Sequence, residues 1–430
     1  MPSKKRSATT NGEANGTSDN KKVKVETTHA RKKDQNNNGD DPLRQPHPSA
    51  AESEDHGIVL RAFYPAEMSN ARARAYTDGT LPRPIDQLTA ALESTASARA
   101  AIPPADAVVH WFRSDLRVHD NRALSLAGAK ARAAGVPLLG LYVLSPEDLD
   151  AHLAAPARVD FALRSLAVLR ADLAALDIPL RVETVARRSD LVARVRQLVA
   201  CEWRASHLFA NMEYEVDELR RDARLIRLLA EPNEAAVDFT LVHDTCVVPP
   251  GTLHTGTGKQ YAVYTPWFRA WVAHLHDAEP GLLDASPPPE KNPASVRKHA
   301  TFAALFNEEV PEQAPANKRL QGGKEEAKRL RELWPAGENA ARERLRKFCD
   351  DRVTKYAASR NLPAEDGATS ALSAHFVAGT LSARAAVRAA RDRNKTKKLD
   401  GGDGGIATWI SEVAWRDFYK HVLVNWPYVW

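Results

Sequence analysis

From residue 107 onward the chain alternates two kinds of text, and that alternation narrows its fold more than any other feature. Short apolar runs stand at Ala107–Phe112, Pro137–Leu144, Leu180–Val185, His207–Ala210 and Val237–Val242. They are too brief for helices and lack the every-other-residue polarity of a half-exposed strand, so they suit strands buried on both faces. Between them, apolar residues recur three and four apart: Phe161, Leu163, Leu166, Leu169, Leu173 and Leu176, then Leu191, Val195, Leu198 and Val199, then Leu219, Leu225, Leu228 and Leu229. Strand runs alternating with amphipathic helices predict right-handed β-α-β units and a five-stranded parallel sheet, a nucleotide-binding-type (Rossmann-like) α/β domain over residues 105–245. After the first run the text reads Phe112-Arg113-Ser114-Asp115-Leu116-Arg117, without a glycine-rich turn. A dinucleotide cradled at that turn is not expected, but the carboxyl edge of the sheet can still offer a ligand crevice.

The flanks read differently. Residues 246–350 hold Pro249-Pro250-Gly251 and Pro287-Pro288-Pro289 and predict a connector with one helix near Pro266–His276. Within it, residues 322–349 are dense in Lys, Arg and Glu at helical spacing, which predicts a solvated helix. Residues 351–430 read as all-helical, with segments at Leu372–Gly379, Ser382–Arg393 and Ile406–Trp426. Four of the nine tryptophans fall in the last 22 residues, and the text stops at Trp430 inside an apolar stretch. A helical domain this short is not expected to close its own core, so an incomplete domain, cut at the C-terminus, is expected. Residues 58–104 predict a lead-in segment, with clear order from residue 107.

Charge is concentrated at the start. Nine Lys/Arg against three acids give residues 1–33 a charge of +6, so the whole-chain +5 leaves −1 for the other 397 residues. The pI near 9.0 reports a basic tail, not a basic body that grips DNA. Residues 1–57, rich in Asn, Lys, Ser, Thr and Gly, predict disorder. Their clusters Lys4-Lys5-Arg6 and Lys21-Lys22-Val23-Lys24 are spaced like a bipartite nuclear import signal, the alternative being a solubilising tail. No run of 18 apolar residues predicts a membrane span, and MPSKKRSATTNGE has no apolar core for a secretory signal. Cys201, Cys246 and Cys349 lie far apart, with neither a disulfide framework nor zinc spacing, which fits a reducing compartment.

Four constellations could carry chemistry. In Trp409-x-x-Glu412-x-x-Trp415-Arg416-x-x-Tyr419, helical spacing puts 409, 412, 416 and 419 on one face with 415 at its margin. A carboxylate, a guanidinium and three aromatics suit a pocket that stacks a planar ligand; core tryptophans with solvated charges are the alternative. Thr369-Ser370-Ala371-Leu372-Ser373, after Gly367 and before a helix, suits a pyrophosphate, or else is an ordinary N-cap. Asn211-x-x-Tyr214-Glu215-x-Asp217-Glu218 follows a strand and could hold a ligand amine, or else is an acidic helix start. Trp111-Phe112-Arg113-x-Asp115-Leu116-Arg117-x-x-Asp120-Asn121 predicts structure: Asp120 or Asn121 as a helix cap, with Arg–Asp pairs tying the loop. No Ser-His-Asp order, metal-ligand spacing or phosphate-binding P-loop is found.

Five blocks, "WFRSDLRVHDNRAL", "YEVDELRRD", "VVPPGTLHTGTGKQYAVYTPWFRAW", "ATSALSAHFVAGTLSARAA" and "WISEVAWRDFYKHVLVNWP", together resemble the photolyase/cryptochrome family over residues 105–430. They are most similar to class I cyclobutane pyrimidine dimer photolyases of fungal and microbial type. The resemblance implies an α/β antenna domain followed by an all-α domain that binds FAD. It implies a lyase that uses blue light and reduced FAD to split pyrimidine dimers in DNA, with the dimer taken out of the helix stack. Carried over position by position, it implies FAD contacts at Tyr356, Thr369, Ser370, Ala371, Leu372 and Ser373, with Trp409 and Arg416 lining the flavin cavity. It implies Glu412 as the carboxylate that hydrogen-bonds the bases, Trp415 as the ring that stacks on the dimer, and Arg360 on a DNA phosphate. Asp217 and Glu218 match positions that hold a folate antenna, methenyltetrahydrofolate. Two departures stand out. The family often has Arg where this chain has Ala371, and its helical domain continues past Trp430 with most of the flavin pocket and the DNA-binding face. The expected protein is a nuclear monomer with DNA as partner and no membrane association; a mitochondrial destination stays open. The alternatives are a cryptochrome photoreceptor on the same scaffold, or a product folding only its antenna domain. The 430-residue chain alone is expected to be inactive.

Overall fold

The computed structural model describes residues 69–231, 236–362 and 367–429. The basic clusters of the N-terminal tail lie outside the described residues.

The structure begins earlier than the text suggests. Helices α1 (Asn70–Thr77), α2 (Pro84–Ser94) and α3 (Ala96–Ala100) precede the first strand. In α2, Leu88 and Ala91 are fully buried in the cluster that also holds Leu219, Ile226 and Phe239. Arg83 donates to the Asn425 side chain at 2.8 Å, and Arg99 pairs with Asp238 at 2.8 Å. Order therefore does not start at residue 107. The correction has a simple cause: the apolar stripe of α2 is short, and only the partner surface makes it core.

The sheet follows the text closely. Strand β1 (Ala107–Phe112) leads to α4 (Arg122–Ala134), β2 (Leu138–Leu144), α5 (Pro146–Ala151), α6 (Pro156–Ala175), β3 (Leu180–Thr184) and α7 (Leu191–Arg196). Then come β4 (Ala205–Asn211), α8 (Val216–Leu229) and β5 (Asp238–Val242). All neighbours are parallel, in the order β3-β2-β1-β4-β5. Alternate residues feed two cores. Val109, Trp111, Leu139 and Leu208 face α7, α8 and α2, whereas Val108, Phe112, Leu138 and Phe209 face α4 and α6. The two-sided burial explains why these strands read as unbroken apolar runs.

Past the sheet, α9 (Tyr264–Ala273) confirms the connector helix, and a π-helical turn, His274–Ala278, extends it. The charged stretch forms two helices. In α10 (Gly323–Leu333) no side chain is buried, as a solvated helix should be. In α11 (Glu338–Asp351), however, Ala341, Leu345, Phe348 and Cys349 are buried, so that half is core. The final elements are α12 (Tyr356–Ser359), α13 (Ser373–Ala378), α14 (Ala383–Arg393) and α15 (Gly404–Asn425). Their core is not closed alone: Trp267 and Trp271 of α9 and Phe348 of α11 complete it around Trp409, Ile410 and Phe418.

A buried charge network joins the sheet to this helical layer. Asp244, after β5, pairs with Arg117 and with Arg384 of α14, and Asp120 pairs with Arg384 and Arg388. Burial alone would raise the Asp244 carboxyl, but the two guanidiniums beside it hold it well below the usual range. The loop after β1 is thus structural, as expected, with Asn121 accepting from Leu124 N–H as the α4 cap. Arg117 ties the loop to itself, donating to the Asp120 carbonyl at 2.9 Å, and both arginines also reach beyond it. Arg113 binds Asp222 of α8 and Arg117 binds Asp244, so each buried guanidinium has a carboxylate partner on another element.

Candidate functional site

Helix α15 carries the aromatic and charged constellation, and packing divides it. Trp409 is turned into the core, its ring 5.1 Å from Phe348. Glu412, Trp415 and Arg416 are half-buried, and Tyr419 is 63% exposed. The stripe is therefore two surfaces: a core margin at 409 and an accessible face at 412, 415 and 419. On that face Glu412 forms an ion pair with Arg360, just past α12, so the two residues lie together. Trp415 stacks on Tyr264. The Arg416 guanidinium donates to the carbonyls of Thr245 and Phe376, tying α15 to the end of the sheet domain and to α13.

The Thr369–Ser373 loop lies beside the same helix. Tyr356, Leu372 and Trp409 share one apolar cluster, with Phe348 edge-on to Tyr356 at 5.8 Å. The Ser359 hydroxyl donates to the Ala368 carbonyl at 3.0 Å, fastening the loop to α12. Two residues there are left-handed: Gly367 at φ +77° and, without glycine's freedom, Ala371 at φ +50°. Thr369 and Ser373 are exposed and Ser370 is half-buried. A Cβ on Gly367 would sit 1.2 Å from the Arg352 Nη1, so the missing side chain makes room for a guanidinium against the loop. Arg352 was not singled out from the text; the only available cue was a glycine four residues before Ala371, where a close approach could occur. Leu372 itself caps α13, a helix of six residues.

A second hollow opens at the carboxyl edge of β1, β2 and β4, where the strand order reverses and ligand crevices form. It encloses about 250 Å³ and is lined by Arg113, Ser114, His152, Glu213 and Glu218 among others. Glu218 is 7% exposed and paired to His152 at 3.0 Å, while its second oxygen has no hydrogen-bond partner among the described residues. Burial pushes the Glu218 carboxyl up. Burial works against a proton on His152, yet Glu218 and Asp148 outweigh it and raise its pKa to about 9. Asp217 is instead engaged by Arg188 at 2.5 Å. Asn211 of the same constellation is structural, donating to Asp115 and Asn121 at 2.6 and 2.7 Å. Asp148, His152 and Glu218 bring ligand atoms within 4.8 Å of one another. The Arg188 guanidinium on Asp148 and the proton held by His152 make them a charge-paired group.

A parallel sheet of this order, a crevice of mixed charge at its switch point and a helical layer presenting Glu412 and Trp415 make an α/β module joined to a helical module. Comparisons with known proteins give the particular family. Residues 108–291 match the family model described as DNA photolyase. The chain is 59% identical to the deoxyribodipyrimidine photo-lyase of Neurospora crassa, over 91% of this chain and 63% of that protein. It is 34% identical to that of Vibrio cholerae, over 74% of this chain and 61% of that protein. A class III photolyase structure from Agrobacterium tumefaciens superposes with a TM-score of 0.58 at 26% identity, over 75% of this chain and 60% of that one. The chain carries a DNA photolyase family domain over residues 108–291, and it spans just over 60% of the length of the curated relatives named.

Proposed function

We propose that this chain serves a deoxyribodipyrimidine photolyase, which splits cyclobutane pyrimidine dimers in DNA under blue light. The observation that carries the reading is the half-exposed face of α15, where Glu412, Trp415 and, through its ion pair, Arg360 stand together. The name and 59% identity of the Neurospora relative support it. FAD is the cofactor of this reading, and the loop fits its pyrophosphate end: hydroxyls at Thr369, Ser370 and Ser373, and a guanidinium lodged where Gly367 has no Cβ. Arg352 supplies the positive charge that Ala371 lacks. When bound and reduced, FAD supplies the light-driven electron. The chain's own residues do the rest. Tyr356, Leu372 and Trp409 wall the site and exclude water. Trp415 receives the flat face of the dimer, where stacking is worth ~1–3 kcal/mol per base. Glu412 accepts hydrogen bonds from base N–H groups, which requires that Arg360 leave it for a phosphate.

The edge crevice is the antenna site in this reading. Glu218, with an unpartnered buried oxygen, would accept from the amino group of a folate-type pigment. Asp217 would have to give up Arg188 to join it. The two basic clusters of the tail support a nuclear address, and a monomer acting on DNA is the expected state.

The test is direct. The protein in its natural full length is loaded with FAD, reduced, and illuminated with a thymine-dimer oligonucleotide. Dimer loss in the light and none in the dark is expected, with Glu412→Ala lowering the yield. Flavin-loaded, reduced protein that repairs nothing would overturn the assignment.

A further inference from the structure

Trp415 does not stand alone on its face of α15. The ring of Tyr264, at the start of α9, lies flat against it, with centroids 3.6 Å apart and planes within 8°. The Tyr264 hydroxyl donates to the Ser411 carbonyl at 2.7 Å and meets the Ser411 hydroxyl at 2.8 Å. Ser411 lies one turn before Trp415, so the tyrosine is fastened to the same helix whose indole it covers. Phe268 follows Tyr264 nearly parallel, at 5.5 Å and 15°, and Trp271 follows Phe268 at 5.8 Å and 20°. Trp271 is fully buried and its indole N–H donates to Asp417 at 3.2 Å. Phe418 closes the edges of both Tyr264 and Trp415, each at 5.5 Å and nearly perpendicular. The result is a column of four near-parallel rings, running from a half-exposed indole to an anchored one in the core.

Tyr264 occupies one face of Trp415, and the exposed Tyr419 flanks the indole at 5.5 Å with a tilt of 31°. A planar ligand can pair with the indole only on the face turned away from Tyr264. An unsupported indole on a half-exposed helix face would sample several rotamers, and a ligand would have to order it at a cost in affinity.

We propose that Tyr264 is a positioning residue: it fixes the plane of Trp415 and reserves the opposite face of the indole for a flat nucleobase. It acts through Trp415 and does not itself touch the base. The inference rests on the reading of Trp415 as the ring that receives the dimer.

The experiment uses Tyr264→Leu, which removes the ring, and the near-isosteric Tyr264→Phe, which keeps the ring but releases the Ser411 tether. Two properties are read. The first is acrylamide quenching of Trp415 emission, taken as the difference between each protein and its Trp415→Phe counterpart. The second is affinity for a single-stranded thymine-dimer oligonucleotide beside its undamaged twin. Quenching should rise most in Tyr264→Leu and by less in Tyr264→Phe. Dimer affinity should fall roughly tenfold and two- to threefold respectively, with binding to the undamaged strand unchanged. Parent values for quenching and dimer affinity in both variants overturn the proposal. If Trp415→Ala itself leaves dimer affinity unchanged, the reading of Trp415 has failed and the proposal goes with it; the quenching data then separately report whether Tyr264 shields the indole.

Discussion

Gly379 sets the distance between the two layers of the molecule. It ends α13 in the left-handed region, at φ +69°, and a Cβ there would come 1.9 Å from the Ser114 carbonyl oxygen. Leu116 N–H donates to the Ala378 carbonyl at 3.1 Å, and Arg117 donates to the Gly379 carbonyl at 2.9 Å. The loop after β1 is therefore pressed against the helical layer by backbone contacts that tolerate no side chain. Gly379→Ala should lower stability by at least about 2 kcal/mol, from the left-handed penalty plus the clash. Urea unfolding measures it, and an unchanged midpoint would mean that the layers part there without cost. The text "AGT" carried a turn signal at this position but no hint of what the turn meets.

At the scale of elements, α2 and α15 show where periodicity stops being informative. The lead-in text around Leu88–Leu92 has helical spacing and little else, yet Leu88 is fully buried beside α8. Leu88→Ala should cost about 2–5 kcal/mol, the range for a buried leucine. Thermal melting of the two proteins tests this, and a shift of under a degree would place α2 outside the cooperative core. In α15 the buried residues run Ile406, Trp409, Ile410, Val413, Ala414, Asp417, Phe418, His421 and Val424, an arc of about half the helix. Trp409 and Glu412 stand near the boundary of that arc. Spacing placed them on one face; Phe348, arriving from α11, draws Trp409 to the inside and leaves Glu412 outside. Helical period fixes the angle between two residues but not where the packed surface begins.

For the molecule as a whole, three groups buried in the helical layer contribute to the acid response. Burial lowers His375 and His421 to about 4, and burial raises Asp417 to about 6. The histidines resist a proton that the unfolded chain accepts near pH 6.5. Their contribution is full above that value and is lost as pH falls toward 4. Asp417 works the other way: its contribution is full below the unfolded carboxylate value and lost as pH rises toward 6. Among these three, two outweigh one, so together they should lower stability by a few kcal/mol, on the order of 2–4, on acidification from pH 6.5 to 4.5. Melting temperature against pH checks the direction, and Asp417→Asn should steepen the fall; a flat profile would show that the histidines are not held neutral. The five strands, their two-sided burial and the resemblance to photolyases were determined by the sequence alone, because apolar runs and local motifs depend only on neighbours along the chain. Which residues face one another was decided by tertiary structure. The seating of Tyr264 on Trp415, the lodging of Arg352 against Gly367 and the pairing of Arg360 with Glu412 each join segments far apart in sequence. Contacts of that kind are set by how elements pack, and a linear pattern carries no measure of the angle at which two helices meet.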